Sequence, residues 1–292
     1  MKVEIATNAV RRGGVEPPPA VTTVELPEWD YRTTIRAAVV GGRAGFRRRE
    51  SHDVLEVPEC LIAHPLLADL LVNGRYEGAS EVTLRCGART GERLAAIVPA
   101  GLPVDVPADV RRDSFEEVAA GRRWRISAGS FFQARPDGAD ALAGIVADAA
   151  RQLEAPTTAL DLYSGVGLFS GVLAEQGWWV TAVESSPSST ADARVNLAGL
   201  PVQVVEADVT RWRPPAAALV VADPSRNGLG RKGVDVARTS GAGRLVLISC
   251  DAISLGRDAA LLQKAGYEMT AMTLVDMFPQ TFHVEVVSIF DR

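Results

Sequence analysis

The sequence predicts an α/β protein with two domains: a smaller N-terminal α+β domain over residues 1–125, and a Rossmann-like domain with a doubly wound, mostly parallel sheet over 126–292. Two observations predict this division. After about residue 126, short apolar runs alternate with helical patterns, as parallel β-α-β units require. Before it, the pattern indicates hairpins and one helix. At 292 residues and 47% hydrophobic content, the chain is long enough to form two cores.

The elements of the N-terminal part are predicted from apolar runs and turn residues. Residues 1–30, which contain Pro17-Pro18-Pro19, predict a short helix or arm followed by a stiff linker. Residues 33–40, a turn over 41–45 and the residues from Phe46 onward predict a β-hairpin. The remaining elements expected here are a helix over 60–73 and strands over 79–86 and 94–98.

The C-terminal part contains four successive apolar runs that predict parallel strands. They are a short run that begins at Thr158 and leads into the glycine-rich turn, then Trp179–Glu184, Val202–Asp208 and Ala218–Pro224, and a helix to about Gln176 follows the first. Each run leads into an acidic residue or a glycine-rich turn. Because the carboxyl ends of parallel strands meet at one edge of a sheet, a ligand is expected at that edge.

The glycine-rich turn after the first strand is typical of a nucleoside-binding site. Gly165 and Gly167 allow the backbone to approach a ligand near a helix N-terminus. The turn lacks the third glycine of G-x-G-x-x-G and the Gly-Lys-Ser/Thr of a P-loop, which disfavours dinucleotide and ATP binding. Glu184 follows by about 20 residues, where an acid binds ribose hydroxyls. Asp208 is then placed to bind an adenine amino group.

Two further motifs place a thiol and a carboxylate at strand ends. They are Ser249-Cys250-Asp251 and, nearer the C-terminus, His283-Val284-Glu285. Methylation of uracil C5 needs such a pair, because a thiolate must activate the ring at C6 and a base must then remove the C5 proton. Cys250 and Glu285 are the candidates. A cysteine at the end of an apolar strand is otherwise a small core residue, so the assignment depends on the accompanying motifs.

Composition limits the class of protein. No apolar run reaches the ~18 to 20 residues that span a bilayer, and the N-terminus lacks the regions of a signal peptide, so a soluble cytoplasmic protein is expected. The cysteines form neither a disulfide framework nor a metal-binding pair. The net charge is −5, yet the arginines cluster; such clusters suit phosphate contacts, although a solvated surface accounts for runs of arginine at least as often. The clusters are Arg43, Arg47, Arg48 and Arg49, then Arg122, Arg123 and Arg125.

Taken in order, the motifs resemble those of the uracil-C5 RNA methyltransferase family, the S-adenosylmethionine-dependent enzymes that make 5-methyluridine in tRNA and 23S rRNA. The resemblance runs from about Tyr31 to the C-terminus and implies a class I methyltransferase domain. The matching motifs are Gly45-Phe46-Arg47-Arg48 with Ser51-His52, Ser130-Phe131-Phe132-Gln133, Asp161–Gly167, Asp223-Pro224-Ser225-Arg226, Ser249-Cys250-Asp251, and Phe278-Pro279 with His283-Val284-Glu285.

The resemblance implies a role for each matching residue. Cys250 is similar to the nucleophile and Glu285 to the base. S-adenosylmethionine, which leaves as S-adenosylhomocysteine, is expected to contact Gln133, Tyr163, Gly165, Gly167, Glu184, Asp208 and Asp223. The RNA base, extruded from its stack, is expected to contact Phe131 or Phe132, Asp223 and Arg226. The expected partner is rRNA or tRNA, with no metal, membrane or protein partner.

The chain departs from the family pattern in its motifs and at its beginning. Asp251-Ala252 stands where relatives commonly have Asn-Pro, Ser225 replaces a proline, and Leu168 replaces an asparagine. The N-terminal β-barrel of many relatives and the four-cysteine iron–sulfur segment of some are expected to be missing. With three cysteines in all, no iron–sulfur cluster is expected within this chain.

Two alternatives remain open. One is a methyltransferase acting on another base, such as an amino-group enzyme on purines. Such an enzyme would carry Asn or Asp, two prolines and an aromatic residue after the fourth strand, and Ser225-Arg226 disfavours it. The other is a catalytically weak or truncated remnant that binds the methyl donor and RNA.

Overall fold

The computed structural model describes residues 1–18, 20–48, 50–153 and 157–292; Pro19 of the predicted linker and Arg49 of the first arginine cluster lie outside them. The strands are β1 (Val21–Val24), β2 (Thr34–Val40), β3 (Arg43–Arg47), β4 (Val54–Leu55), β5 (Glu81–Cys86), β6 (Arg93–Val98), β7 (Ser114–Ala119), β8 (Arg122–Ser127), β9 (Thr158–Leu162), β10 (Trp179–Glu184), β11 (Val202–Glu206), β12 (Leu219–Ala222), β13 (Arg244–Ser249), β14 (Glu268–Val275) and β15 (Val286–Asp291). The helices are α1 (Lys2–Arg12), α2 (Pro65–Val72), α3 (Pro136–Arg151), α4 (Leu168–Glu175), α5 (Pro187–Asn196), α6 (Gly230–Ser240) and α7 (Ala252–Lys264).

The chain divides into two compact units. The α/β unit comprises Met1–Leu26 and Gly138–Arg292, and the α+β unit comprises Pro27–Asp137. This division differs from the predicted one at both ends, because the first 26 residues pack with the C-terminal part and the boundary falls at residue 137. The segment predicted as a linker contains β1, whose Val21–Val24 pairs in parallel with Met272–Val275 of β14.

The α/β unit is built on an eight-stranded sheet with the order β1-β14-β15-β13-β12-β9-β10-β11. The paired strands are parallel, except that β15 runs antiparallel to both of its neighbours, β13 and β14. The central strands are apolar and fully buried, as in Val220, Leu245 and Leu247. A parallel sheet covered on both faces favours such continuous apolar strands. The predicted α/β fold is therefore confirmed.

The predicted strands of this sheet agree with the structure to within a few residues. β9 begins at Thr158, as predicted, and β10 has the predicted bounds. β11 ends at Glu206, two residues earlier than predicted, because Asp208 begins a short 3₁₀ turn. Its carboxylate accepts a hydrogen bond from the Thr210 N–H at 2.9 Å, and such a local cap competes with strand pairing.

The α+β unit contains a five-stranded antiparallel sheet with the order β4-β3-β2-β5-β6, the hairpin β7-β8, and α2. The predicted hairpin is present, but its turn is shorter than the predicted 41–45: Val40 pairs with Arg43 across Gly41-Gly42, both of which have positive φ. The predicted helix over 60–73 is shorter, since it begins at Pro65. The His64 ring nitrogen caps it by accepting from the Leu66 N–H at 3.3 Å, and proline suits a first helical position.

Helix α1 packs on α7 within the α/β unit. Ala6 and Val10 of α1 are fully buried. The two backbones approach so closely that a Cβ at Gly13 or Gly256 would collide with the facing main chain. This apolar, glycine-dependent contact explains why the N-terminal helix belongs to the α/β unit rather than to the segment that follows it. Among the residues that the structure describes, no helix is long and apolar enough to cross a membrane.

Candidate active site

The carboxyl edge of the sheet gathers side chains from three adjacent strands. Leu162, the last residue of β9, is paired with β10 on one side and with β12 on the other. The residues that follow these three pairing positions are Tyr163, Glu184 and Asp223. The Asp223 N–H donates to the Leu162 carbonyl at 3.3 Å, so its backbone stays attached to the sheet. This edge is where ligands bind in open parallel sheets.

Cys250 and Glu285 are brought together by strand pairing. In the antiparallel pair of β13 and β15, Ser249 lies opposite Val286. One residue beyond that pair, Cys250 follows β13 and Glu285 precedes β15, so the two leave the sheet at the same point. Cys250 is half-buried, whereas Glu285 is buried and its carbonyl accepts from the Val275 N–H at 2.9 Å.

The charges at this point act on one another. Burial, followed by the carboxylates of Glu285 and Asp223, raises the pKa of the Cys250 thiol to about 11, and the Arg226 guanidinium opposes the rise. Burial and the Asp223 charge raise the pKa of Glu285 well above its ordinary value. Cys250 therefore rests as a thiol, and Glu285 is a stronger base than a surface carboxylate.

The Glu184 carboxylate fixes the glycine-rich turn to the sheet edge. One oxygen accepts from the Gly165 N–H at 3.0 Å. The other accepts from the N–H groups of Ser185 and Ser186, both at 2.7 Å. Each carboxylate oxygen has more than one acceptor site, so Glu184 retains capacity for a ligand hydroxyl while holding the turn.

The turn itself is built from left-handed backbone. Tyr163, Gly165 and Gly167 have φ values of 62°, 55° and 99°. A non-glycine residue in this region is strained by about 1 kcal/mol, and such strain concentrates at ligand sites. Gly167 caps α4, and a Cβ there would collide with the Leu197 side chain. Burial, and then Asp208 and Asp258, raise the pKa of Tyr163 to about 12, so its hydroxyl remains a neutral donor.

Asp161 is a residue of this site that was not among those predicted. It is fully buried in β9, and one oxygen accepts from the Ser170 N–H at 2.9 Å and from the Ser170 hydroxyl at 2.6 Å. Its other oxygen has no hydrogen-bond partner among the described residues. Burial raises its pKa to about 7. The signal in the sequence is an acid within the apolar run Ala159-Leu160-Asp161-Leu162.

We expect Asp161→Asn to weaken the pH dependence of stability. The native pKa of about 7 exceeds the unfolded value of about 3.9, so the stabilising contribution is full below pH 4 and is lost as pH rises through 7. Between pH 4 and 8, the decrease in the free energy of unfolding should be a few kcal/mol larger in the wild type than in the variant. Urea unfolding at both pH values checks this, with exposed Asp235→Asn as the control. Equal pH slopes for Asp161→Asn and wild type would contradict it.

Asp208 lies at the same edge and is exposed on the surface of the α/β unit. The Thr210 hydroxyl donates to it at 2.8 Å, which together with the backbone cap lowers its pKa. Both of these hydrogen bonds go to one oxygen of the exposed, ionised carboxylate, and its other oxygen can accept a hydrogen bond from a ligand amino group. Its predicted contact with adenine stays a prediction.

Phe131, Phe132 and Gln133 belong to the α+β unit, in the segment between β8 and α3. Phe131 is 65% exposed, while Phe132 is only 7% exposed. Of the two rings predicted to pack on a base, Phe131 is therefore the one open to solvent. The roles of these three residues stay predictions.

The departures from the family pattern have structural roles here. Asp251 caps α7, since its side chain accepts from the Ser254 N–H at 2.8 Å. An aspartate stabilises a helix at this position both as a cap and through its charge. Leu168 is buried at the start of α4. No group of three or more His, Cys, Asp or Glu in the described ranges is arranged to hold a metal ion.

Comparison with solved structures supports the fold. The chain superposes on the Pyrococcus abyssi tRNA (uracil-54, C5)-methyltransferase, solved in complex with S-adenosyl-L-homocysteine, with a TM-score of 0.80. The match covers 99% of this chain and 82% of that one at 22% identity. The predicted class I methyltransferase fold is therefore confirmed.

Comparison with curated sequences supplies the family. An uncharacterized RNA methyltransferase of Streptomyces coelicolor is 34% identical over 91% of this chain, which spans 64% of that protein. Uncharacterized RNA methyltransferases of Streptomyces avermitilis and Corynebacterium efficiens are 33% and 30% identical, and the chain spans 68% and 74% of them. The chain thus spans about two thirds of the length of these relatives. No family model matches it. These relatives show that the chain belongs to the RNA methyltransferase family, and they confirm the resemblance seen in its motifs.

Proposed function

We propose that this chain transfers a methyl group from S-adenosylmethionine to C5 of a uridine in RNA. The observation that carries the proposal is the pairing of β13 with β15, which brings Cys250 and Glu285 to one point of the sheet edge. The names of its relatives support RNA as the substrate, and the name of the Pyrococcus abyssi protein supports uracil C5. Either tRNA or rRNA would satisfy this chemistry.

The glycine-rich turn fits the methyl donor. Its left-handed backbone leaves space for close approach, and Asp161 beneath it has an oxygen that no described residue satisfies. Glu184 would accept from the ribose hydroxyls, Asp208 from the adenine amino group, and Tyr163 and Asp223 would line the site between them. S-adenosylmethionine bound here would supply the electrophilic methyl group.

In the proposed mechanism, Cys250 and Glu285 perform opposite halves of the reaction. The Cys250 thiol first loses its proton to solvent, and the thiolate adds to C6 of the uracil, which gives C5 the electron density to take the methyl group. The bond between that methyl group and the sulfonium sulfur breaks in the same step, and S-adenosylhomocysteine is the leaving group. The Glu285 carboxylate then removes the C5 proton, the C5–C6 double bond re-forms, and the Cys250–C6 bond breaks to release the thiolate. The raised pKa of Glu285 suits this step, because a base is most effective when its pKa lies near the working pH.

Arg226 and Asp223 set the charge around this pair. The Arg226 guanidinium is the cation that favours the Cys250 thiolate, while Asp223 opposes ionisation of both Cys250 and Glu285. A base that approaches Cys250 would therefore meet a carboxylate and a guanidinium, which can hydrogen-bond to the N–H and carbonyl groups of a uracil. On the α+β unit, Arg47 and Arg48 are exposed and suited to phosphate contacts.

The first test is methyl transfer from labelled S-adenosylmethionine to total RNA that lacks 5-methyluridine, followed by nucleoside analysis. We expect label in 5-methyluridine, and the RNA fraction that carries it identifies the substrate. Label in a different nucleoside would instead support a methyltransferase of another base. If the protein binds S-adenosylhomocysteine but transfers no label, the binding-only alternative is correct.

We expect Glu184→Gln to weaken S-adenosylhomocysteine binding by about 10-fold or more, because charge-assisted hydrogen bonds contribute about 1.5–3 kcal/mol. The amide would also turn an N–H₂ group toward the backbone N–H groups that now hold the turn. Isothermal titration calorimetry measures the change. Glu206→Gln is the matched control, since Glu206 ends the neighbouring strand and accepts from the Thr190 hydroxyl. Equal affinities of the two variants would argue against the ribose contact.

A further inference from the structure

The loop of residues 223–229 joins β12 to α6 and carries two of the charged groups around Cys250. Asp223 begins it and Arg226 lies at its centre. Cys250 itself lies just before α7, which packs against α6. The relative placement of Arg226 and Cys250 therefore depends on what fixes this loop to α7.

Asp258, in the second turn of α7, makes that connection. It is fully buried, and one carboxylate oxygen accepts from the Leu229 N–H at 2.7 Å. The other oxygen accepts from the Gly230 N–H at 3.0 Å. These are the first backbone donors of α6, where a negative charge is also favoured by the helix dipole. A carboxylate from one helix thus caps the next.

Arg257 and Gly228 complete the connection. The Arg257 guanidinium donates to Asp258 at 2.9 and 2.8 Å and also to the Asn227 carbonyl within the loop. Gly228 has a φ of +67°, and a Cβ there would collide with both Asp258 and Arg257. The residues from Asn227 to Gly230 therefore lie directly on the Arg257–Asp258 pair, and only glycine fits at their centre.

We propose that Asp258, together with Arg257, is a positioning residue for the reaction: it fixes the 223–229 loop so that the Arg226 guanidinium lies where it stabilises the Cys250 thiolate. This inference deepens the proposed function and rests on it. Asp258 acts through Arg226 and touches no reacting atom.

Arg226 differs from the other charged residues that face Cys250, Glu285 and Asp223, in how it is held in place. Glu285 is held by β15, and the Asp223 N–H is bonded to the Leu162 carbonyl of β9. Arg226 is exposed and lies next to the part of the loop that Asp258 holds. Loss of the connection would therefore displace the one favourable charge more than the two unfavourable ones, and the thiolate would become harder to form.

The test measures alkylation of Cys250 by iodoacetamide between pH 6 and 10, read by mass spectrometry, with half-buried Cys60 as an internal reference. In Asp258→Asn we expect the Cys250 rate at pH 8 to fall about fivefold, because moving a favourable cation away raises the pKa of the thiol and lowers the fraction of reactive thiolate. Asp235→Asn, which removes an exposed carboxylate from α6, should match wild type. Raising the pH should partly restore methyl transfer in Asp258→Asn, which a loss of folding alone would not do.

Arg257→Gln provides a second test of the proposal if Asp258→Asn does not fold. Its guanidinium is half-exposed, and both amide contacts of Asp258 remain. We expect a smaller slowing in the same direction. An Arg257→Gln profile identical to wild type, or a folded Asp258→Asn with an unchanged profile, would overturn the proposal. Alkylation needs no RNA, so a shifted profile in a protein that makes no 5-methyluridine would support the positioning role while refuting the proposed function.

Discussion

Cys250→Ala should abolish methyl transfer, with a loss of at least about 10⁴-fold in rate, while S-adenosylhomocysteine binds as in wild type. Loss of a covalent nucleophile removes a whole step rather than one contact, and effects of this size are typical. The proposed donor site lies at the ends of β9, β10, β11 and β12 and does not include the thiol. Transfer of label to RNA and calorimetric binding of S-adenosylhomocysteine measure the two properties separately.

Cys60→Ala is the matched control for this substitution. Cys60 is also half-buried, and its replacement by alanine likewise removes one sulfur, but it lies in the α+β unit. It should retain wild-type transfer. If Cys250→Ala still produced 5-methyluridine at a measurable fraction of the wild-type rate, the covalent mechanism would have to be abandoned.

Glu285→Gln should produce a protein that methylates once and then remains attached to its RNA. The amide cannot accept the C5 proton, so the methylated ring stays bonded to Cys250 at C6. We expect turnover to fall by about 10²–10⁴-fold, the usual contribution of a general base. A denaturing gel with labelled RNA should show a protein–RNA band, and mass spectrometry of the digested band should find the methylated nucleotide on the Cys250 peptide.

Glu268→Gln makes the same chemical change at an exposed position at the start of β14 and should turn over normally without a stable band. A Glu285→Gln protein that also turns over normally would exclude Glu285 as the base. A band that contains unmethylated nucleotide would instead show that Glu285 is needed before methyl transfer.

The parts of the fold that follow from local pattern were predictable from the sequence. The bounds of β10 agree, and the hairpin of β2 and β3 is present with a shorter turn than predicted, because apolar periodicity and paired glycines determine these features locally. The placement of Cys250 and Glu285 at one point of the sheet edge was predictable only from their motifs, since the sequence does not reveal that β15 inserts antiparallel beside β13.

Other features depend on contacts between distant segments. Nothing near residues 21–24 indicates that they pair with β14, so they were interpreted as a linker. Asp258 lies in a helical pattern where an acid usually faces solvent, and its two backbone partners come from another element. Asp161 was visible as an acid in an apolar run, but its unsatisfied oxygen becomes apparent only in three dimensions.

The position of β15 has a consequence for how the site is assembled during synthesis. It follows every other strand of the sheet in the sequence, yet it lies between β13 and β14. A nascent chain therefore contains the glycine-rich turn and Cys250 before it contains Glu285, and β1 and β14 cannot join the other strands until β15 enters. Under the proposed function, the nucleophile is synthesised first, and the late insertion of β15 both completes the sheet and brings in the carboxylate that would release the product.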